Sequence, residues 1–88
     1  MAWAVEYAAG VEKQLRKLGP DVSVRIRRYM ERTVGRSEDV RAFGAPLVGE
    51  LSGLWRYRVG DYRIICKIQD DVLVVLVIEI GHRREVYR

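Results

Sequence analysis

Arginines alternate with apolar residues in the stretch LWRYRVGDYRI, which runs from position 54 to position 64. Arg56 and Arg58 lie on its first arm, and Arg63 lies on its second. Alternation at period two is typical of a β-strand with one buried face. Guanidinium groups bind phosphate oxygens through paired hydrogen bonds, and they stay charged because the pKa of arginine lies above about 12. The pattern therefore predicts three arginines on one sheet face, where they bind an anion.

The two arms are joined by Gly60-Asp61, which predicts a two-residue hairpin turn because glycine takes a positive φ at the first central position without steric cost. This turn places Arg58 directly opposite Arg63. Like charges in that position destabilise a sheet by up to roughly 1 kcal/mol. Residues that are unfavourable for local stability in this way tend to belong to functional sites. The same register predicts four further pairs: Val59 with Tyr62, Tyr57 with Ile64, Trp55 with Cys66, and Arg56 with Ile65.

The segment GHRREVYR at positions 81 to 88 adds further candidates, namely His82, Arg83, Arg84 and Tyr87. Five or six guanidinium groups on one sheet repel one another unless an anion or an acidic partner lies among them. An aromatic ring among arginines is typical of proteins that bind single-stranded nucleic acid, so Tyr87 is a candidate for base stacking or catalysis as well as for packing. Arg83 reaches the arginine face only if Gly81 introduces a bulge or bend.

Several other chemistries are excluded by the residue types. His82 is the only histidine and Cys66 the only cysteine, so the chain has neither a histidine pair nor a cysteine-based zinc site. No catalytic triad can be assembled from the remaining residues, and there is no glycine-rich phosphate loop. Asp70-Asp71 is interpreted as a turn and Cys66 as a small buried hydrophobic residue. We therefore predict neither a metal site nor a cofactor.

The composition indicates one small globular domain over residues 1–88, with 49% hydrophobic and 32% charged residues. The net charge is +4, and 13 of the 16 basic residues are arginine. GC-rich codon usage also explains an arginine bias, so the argument depends on clustering. The longest apolar run, Val72 to Ile78, is far shorter than the roughly 20 residues of a membrane span. The start MAWAVEYAAG has no basic region of a signal peptide, and we expect a cytoplasmic protein without a membrane partner.

The elements that must position these residues follow from periodicity. Ala2 to Tyr7 alternates at period two and predicts a strand, whereas the next residues change to helical spacing up to Gly19. Pro20 predicts the start of a second helix. Gly35 to Gly53 lacks periodicity and predicts a loop with one short helical turn. The apolar stripe of the second helix comprises Val22, Ile26, Tyr29, Met30, Thr33 and Val34.

The last strand is apolar on both faces from Val72 to Ile80, which is typical of a central strand. The order strand, helix, helix, strand, strand, strand predicts an α+β fold, with a helical hairpin packed on one face of a mainly antiparallel four-stranded sheet. Because that hairpin covers only one face, apolar surface from Val74, Leu76 and Ile78 is expected to be exposed, which suggests a protein partner.

These elements resemble the RelE/ParE superfamily of bacterial toxin-antitoxin modules. The resemblance is carried by AVEY near the start, LVGELSGLWRYRVGDYRIICKI in the middle and GHRREVYR at the end. It implies a toxin neutralised by a small acidic, RelB-like antitoxin, with oligomers formed mainly through the antitoxin. In RelE-type members the toxin enters the ribosomal A site and cuts messenger RNA without a metal, which implies the ribosome and messenger RNA as further partners.

The resemblance also implies roles for individual residues. The implied catalytic residues are Arg58, Arg63, Arg83 and Tyr87, and the implied substrate-binding residues are Arg56, His82 and Arg84. Well-known RelE members carry lysines where Arg56 and Arg58 stand, and arginine is a poorer proton-transfer group. The general base therefore stays open, with His82 or Glu85 as candidates. A ParE-type inhibitor of DNA gyrase without nuclease activity is the alternative, and an inactive relative that only binds its antitoxin is a third reading.

Overall fold

The computed structural model describes residues 2–82. Two helices form one layer and a five-stranded sheet forms the other, with the strand order β1-β5-β4-β3-β2. β1 runs parallel to β5, and the other neighbouring strands are antiparallel. The elements are β1 (Ala4–Tyr7), α1 (Ala9–Leu18), α2 (Pro20–Arg28) with a π-helical continuation (Tyr29–Val34), β2 (Ala45–Pro46), a 3-10 helix (Gly49–Leu51), β3 (Trp55–Val59), β4 (Tyr62–Gln69) and β5 (Val74–His82).

The two helices form the predicted hairpin. Gly19 lies between them with a φ of 90°, which glycine adopts without strain, and Pro20 occupies the first turn of α2. The helix continues beyond Arg28, and its last turns have π-helical geometry. In this segment the Gly35 N–H donates a hydrogen bond to the Met30 carbonyl, five residues earlier in the chain. The buried helical side chains are Val11, Leu15, Ile26, Met30 and Val34. The predicted apolar stripes are thus confirmed as the helical half of the core.

The sheet supplies the other half of the core from alternate residues of its central strands. Tyr57, Ile64 and Cys66 are fully buried on the helix side, together with Val75 and Val77 of β5. The Tyr57 hydroxyl donates a hydrogen bond of 2.6 Å to the Val40 carbonyl, which ties the long connection between α2 and β3 to the sheet. Burial raises the pKa of the Cys66 thiol well above its usual range. Cys66 is therefore a packing residue, as predicted.

The segment from Gly35 to Gly53 contains a strand that the sequence did not predict. Ala45 pairs with Arg56 and Pro46 with Trp55, so the sheet has five strands, and the expected four-stranded sheet is wrong in this detail. A two-residue strand is too short to show period two, and proline is confined to sheet edges because it donates no hydrogen bond. The short helical turn expected in this segment is the 3-10 helix.

An irregularity in β5 lies three residues earlier than predicted. Ile65 pairs with Glu79 while Cys66 pairs with Val77, so Ile78 is the extra residue of a β-bulge. The pairing is regular at Gly81, where the sequence predicted the break. The bulge reverses the alternation, because Val77 and Ile80 are both buried on the helix side whereas Glu79 lies on the opposite face. Arg83, whose position motivated the prediction, lies outside the described residues.

The sheet face without helices is partly apolar, as predicted. Ile78 is 36% exposed and Leu76 is half-buried, whereas Val74 is only 8% exposed, contrary to expectation. Larger apolar exposure occurs in the connection before β3, where Val48 is 85% and Leu51 is 50% exposed. The exposed apolar surface is therefore shared between β5 and this connection.

Candidate functional site

The β3–β4 hairpin has the register that alternation and the Gly60-Asp61 turn predict. All five predicted pairs are present, including Arg58 opposite Arg63. Gly60 has a φ of 58°, and Asp61 is not among the residues with positive φ, which is the pattern of a turn with glycine at the first central position. Local chemistry alone thus determines which side chains share a face in this hairpin.

Arg56, Arg58 and Arg63 project from the face opposite the helices, because the residues that alternate with them, Tyr57 and Ile64 among them, are fully buried on the helix side. Arg58 is exposed, whereas Arg56 and Arg63 are half-buried. Directly opposed residues have Cβ atoms about 4.5 to 5.5 Å apart, so the Arg58 and Arg63 side chains leave the sheet together. We call these three residues the arginine face.

Glu79 lies on the same side of the sheet as the arginine face. It pairs with Ile65, and its strand neighbour Gly81 pairs with Arg63, so Glu79 is a diagonal neighbour of Arg63. Diagonal neighbours are about 7 to 8 Å apart, within reach of long side chains. Glu79 is exposed. The sequence did not reveal this carboxylate, since uninterrupted alternation placed it on the core face and only the bulge at Ile78 moves it.

His82 lies on the other side of the sheet from the arginine face. It pairs with Tyr62, and the two rings meet edge to face with centroids 5.2 Å apart and planes at 86°. Together with Gln14 and Lys17 of α1 they line a groove of about 210 Å³. Gln14 accepts a hydrogen bond from the Ile80 N–H and donates one to its carbonyl, which secures α1 to the end of β5.

The structure thus brings together three of the predicted site residues, Arg56, Arg58 and Arg63. His82 lies on the opposite side of the sheet. Arg83, Arg84 and Tyr87 lie outside the described residues, as does Glu85. Their roles stay predictions.

The sequence matches the family model for the ParE toxin of the type II toxin-antitoxin system over residues 5–87. The chain belongs to the RelE/ParE superfamily of toxins. The toxin is also 30% identical over 88 residues to Toxin RelG of Mycobacterium tuberculosis, an alignment that covers 100% of this chain and 99% of RelG. It is the toxin component of a type II toxin-antitoxin system, as the sequence motifs implied.

Solved structures agree with this assignment. The toxin-antitoxin complex RelBE2 from M. tuberculosis superposes with a TM-score of 0.85 at 25% identity, covering 97% of the toxin and 95% of the matched chain. A free E. coli RelE variant with two arginines replaced by alanine has a TM-score of 0.72 at 25% identity, covering 93% and 84%. The archaeal RelE in complex with RelB from Pyrococcus horikoshii has a TM-score of 0.64 at 26% identity, covering 94% and 97%.

A fourth arginine of the toxin lies at the tip of the hairpin. A Cβ atom placed on Gly60 would lie 2.5 Å from Nη2 of Arg25, so the α2 guanidinium lies across the turn. The positive φ at Gly60 favours glycine, and any other side chain there would also have to displace the flexible Arg25 guanidinium. Sequence periodicity placed Arg25 on the polar side of α2 but contains no signal for its contact with a turn 35 residues away.

Other arginines of the toxin are ion-paired. Arg41 forms a bidentate pair with Asp70, with nitrogen-oxygen distances of 3.0 and 2.7 Å, and its guanidinium lies 5.6 Å from the Trp55 ring centroid. The hydrogen bonds from Arg41 lower the pKa of the Asp70 carboxyl. Arg27 bonds Glu12 at 2.8 Å and lies 4.7 Å from the Tyr7 ring centroid. Both arginines connect elements of the fold.

Within residues 2–82, no group of three or more histidine, cysteine or acidic side chains is arranged to hold a metal ion. No helix within the same range has the length and apolar character needed to cross a membrane.

Proposed function

We propose that the toxin is an endoribonuclease that cuts ribosome-bound messenger RNA and so inhibits translation. This proposal is based on the directly opposed pair Arg58 and Arg63, with Arg56 beside it on the sheet face opposite the helices. Like charges directly opposite each other are disfavoured in sheets in general, so two arginines in this position are suited to share one anionic ligand. A phosphodiester bound between the two guanidinium groups converts the repulsion into attraction.

In the proposed reaction, a ribose 2′-hydroxyl attacks the adjacent phosphorus and passes its proton to a base. The bond from phosphorus to the 5′-oxygen of the next nucleotide breaks, and an acid protonates that oxygen. The products are a 2′,3′-cyclic phosphate and a 5′-hydroxyl. The pentacoordinate phosphate carries more negative charge than the substrate, so fixed cations stabilise it selectively. Arg58 and Arg63 supply this charge, with Arg83 as the proposed third group, while Arg56 anchors the RNA backbone.

The general base must be a group other than the arginines, because arginine keeps its proton at any physiological pH. Glu79 joins Glu85 as a candidate, since it is an exposed carboxylate diagonal to Arg63 on the arginine face. The earlier candidate His82 lies on the opposite side of the sheet. Tyr87 is proposed to stack on a base or to relay a proton. His82 and Arg84 are proposed to bind flanking RNA, and His82 does so from the helix side of the sheet.

The Glu79 assignment predicts a specific defect. General base catalysis contributes about 10² to 10⁴ in rate, so Glu79→Gln should slow single-turnover cleavage by that factor while RNA affinity is retained. Glu6→Gln is the matched control, because Glu6 is an exposed carboxylate on the edge strand β1. If Glu79→Gln cleaves at the wild-type rate, Glu79 is not the base and Glu85 is the remaining candidate.

We also propose a small acidic, RelB-like antitoxin as the partner that neutralises the toxin. Relatives in solved structures, RelBE2 of M. tuberculosis and RelE of P. horikoshii, are complexed with their antitoxins. The exposed apolar side chains Ile78, Leu51 and Val48 offer contacts for such a partner, and carboxylates would bind the arginine face. Antitoxin affinity should fall with added salt, because exposed charges are screened over about 8 Å at physiological ionic strength.

The nuclease proposal is tested by incubating purified toxin with ribosomes programmed with a defined messenger RNA and mapping the new RNA ends. Wild-type toxin should produce cuts inside the translated region. Arg63→Ala should reduce the rate about 10²- to 10³-fold, by analogy with the loss of one oxyanion donor. Arg16→Ala, an exposed arginine on α1, is the matched control and should cleave normally.

A second candidate function is inhibition of DNA gyrase, which the match to the ParE family model favours. Under this alternative, transcripts stay intact and cells that express the toxin accumulate gyrase-linked DNA breaks. An inactive relative would produce neither effect while still binding its antitoxin. The three outcomes are distinguished by RNA end mapping and DNA break mapping in the same cells.

A further inference from the structure

We propose that the outer side of α2 is a second RNA-binding surface, which holds the phosphate backbone of structured ribosomal RNA. The surface is an open groove of about 600 Å³ lined by Arg25, Arg28 and Arg32, with Tyr29 and Asp21 among the other lining residues. We call it the α2 groove. The inference rests on the proposed function in one respect, namely that the toxin acts on the ribosome.

The α2 groove is mainly basic, with three arginines and one acidic residue, Asp21, among its lining residues. Its three arginines are spaced at i, i+3 and i+7, which places them on one helical face. Within residues 2–82 none of the three forms an ion pair, whereas Arg27 on the inward side of the same helix pairs with Glu12. Like charges at this spacing destabilise a helix. An anion outside the described residues is the partner that this arrangement fits.

The helix dipole does not explain why three arginines lie on this face of the helix. Cations are favoured in the last turn of a helix, and Arg25 and Arg28 are near the end of the α-helical part. The hydrogen-bonded backbone continues through the π-helical segment to Val34, however. Arg25 and Arg28 therefore lie in the middle of a continuous helical segment over residues 20–34, and only Arg32 is close to its carboxyl end.

The chemistry of the α2 groove fits a phosphodiester backbone better than a protein. Arg25 and Arg32 are seven residues apart, which is about 10 Å along a helix at about 1.5 Å per residue. Positive charges spread over this length suit a ligand whose negative charges repeat along a backbone. Protein interfaces have an apolar centre, and the α2 groove offers Val24, which is 49% exposed, for such a centre. The three arginines favour an anionic ligand, and an acidic protein is the alternative that the test must separate. The ring of the half-buried Tyr29 offers a surface on which a ribose or a base can pack.

The α2 groove also meets the proposed active site. Arg25 lies across the Gly60 turn, and this turn connects the strands that carry Arg58 and Arg63. Basic groups therefore continue from the arginine face around the hairpin tip and along α2. RNA held in the groove would fix the hairpin relative to the messenger RNA, so it would raise the effective concentration of the substrate at the arginine face.

The test measures binding of the toxin to a fluorescent RNA duplex of about 16 base pairs and to purified ribosomes, over a range of salt concentrations. Arg28→Gln/Arg32→Gln removes two charges from the α2 groove. Lys13→Gln/Arg16→Gln removes two charges from exposed positions of α1 and is the matched control. Circular dichroism and thermal unfolding check that both variants are folded, and Arg28→Lys/Arg32→Lys keeps the charge.

We expect the α2 variant to bind both RNA probes at least tenfold more weakly, and the slope of log affinity against log salt to fall by roughly 1.4 to 1.8, since each phosphate contact contributes about 0.7 to 0.9. The control and the lysine variant should stay within about threefold of wild type. Equal losses in the α1 and α2 variants would overturn the inference in favour of diffuse charge. Unchanged RNA binding together with lost antitoxin binding would assign the groove to an acidic protein instead.

The duplex measurement separates this inference from the proposed function. If the wild-type toxin does not cut ribosome-bound messenger RNA, the nuclease proposal fails, but the α2 variant still reports whether the groove binds RNA. If cleavage occurs and the α2 variant binds both RNA probes like wild type, only the inference about the groove fails.

Discussion

The two faces of the β3–β4 hairpin are built from the same pair of strands, but one face is apolar and the other carries arginines. On the helix side, Tyr57, Ile64 and Cys66 are fully buried and contribute to the core. On the other side, Arg58 stands directly opposite Arg63, a pairing of like charges that contributes nothing to the core. One strand pair therefore carries the stability of the sheet on one face and its proposed chemistry on the other. Variants of the two faces should therefore affect different measurements.

The largest expected effect on stability comes from Ile64→Ala on the helix side. Ile64 is fully buried between the helices and the sheet, and truncation of such a residue costs about 2 to 5 kcal/mol because a cavity remains. Denaturant unfolding measures the loss. RNA cleavage per folded molecule should stay near wild type, so a specific loss of cleavage in a stably folded variant would break the separation of the two faces.

Tyr57→Phe should have the next largest effect. The change removes the hydroxyl that donates to the Val40 carbonyl and leaves that buried acceptor without its partner, which costs about 1 to 3 kcal/mol. Thermal unfolding measures the total loss, and hydrogen exchange should show faster exchange near Val40. Tyr29→Phe serves as the control because its ring is only half-buried. Equal losses in both variants would contradict a special role for the Tyr57 hydroxyl.

Gly60→Ala tests the turn that sets the register of both faces. The positive φ of 58° is strained for alanine by roughly 1 to 2 kcal/mol, and the new Cβ must displace the Arg25 guanidinium. We expect a comparable loss of unfolding free energy together with a modest loss of RNA cleavage. Gly10→Ala is the control, since its Cβ would meet no atom within 4 Å. A Gly60→Ala variant as stable as wild type would contradict the turn assignment.

Arg58→Gln should have the smallest effect on stability. The change relieves at most roughly 1 kcal/mol of like-charge repulsion, so the free energy of unfolding should stay within about 1 kcal/mol of the wild-type value. RNA cleavage should fall at the same time. Lys67→Gln, on an exposed position of the same strand pair, controls for a general gain from lower net charge. A loss of unfolding free energy well above 1 kcal/mol would show that Arg58 stabilises the fold as well as serving the proposed site.

Much of the fold and part of the candidate site could be predicted from the sequence. The helices, their buried stripes and the hairpin register depend on contacts within a few residues, and the structure has all of them. β2 could not be predicted because its two residues form a strand only when β3 lies beside them. The position of Glu79 could not be predicted either, since a bulge is a mismatch between two strands and no single strand shows it.

The sequence by itself determined which side chains share a face of the β3–β4 hairpin, because period two and a glycine-first turn act between neighbours in the chain. It also carried the motifs that assign the toxin to its family. Only the tertiary structure decided that Arg25 lies at the Gly60 turn, that Glu79 lies on the arginine face and that His82 does not. These placements depend on how α2 and β5 dock against the hairpin, and docking is set by packing between residues distant in sequence, which leaves no local pattern.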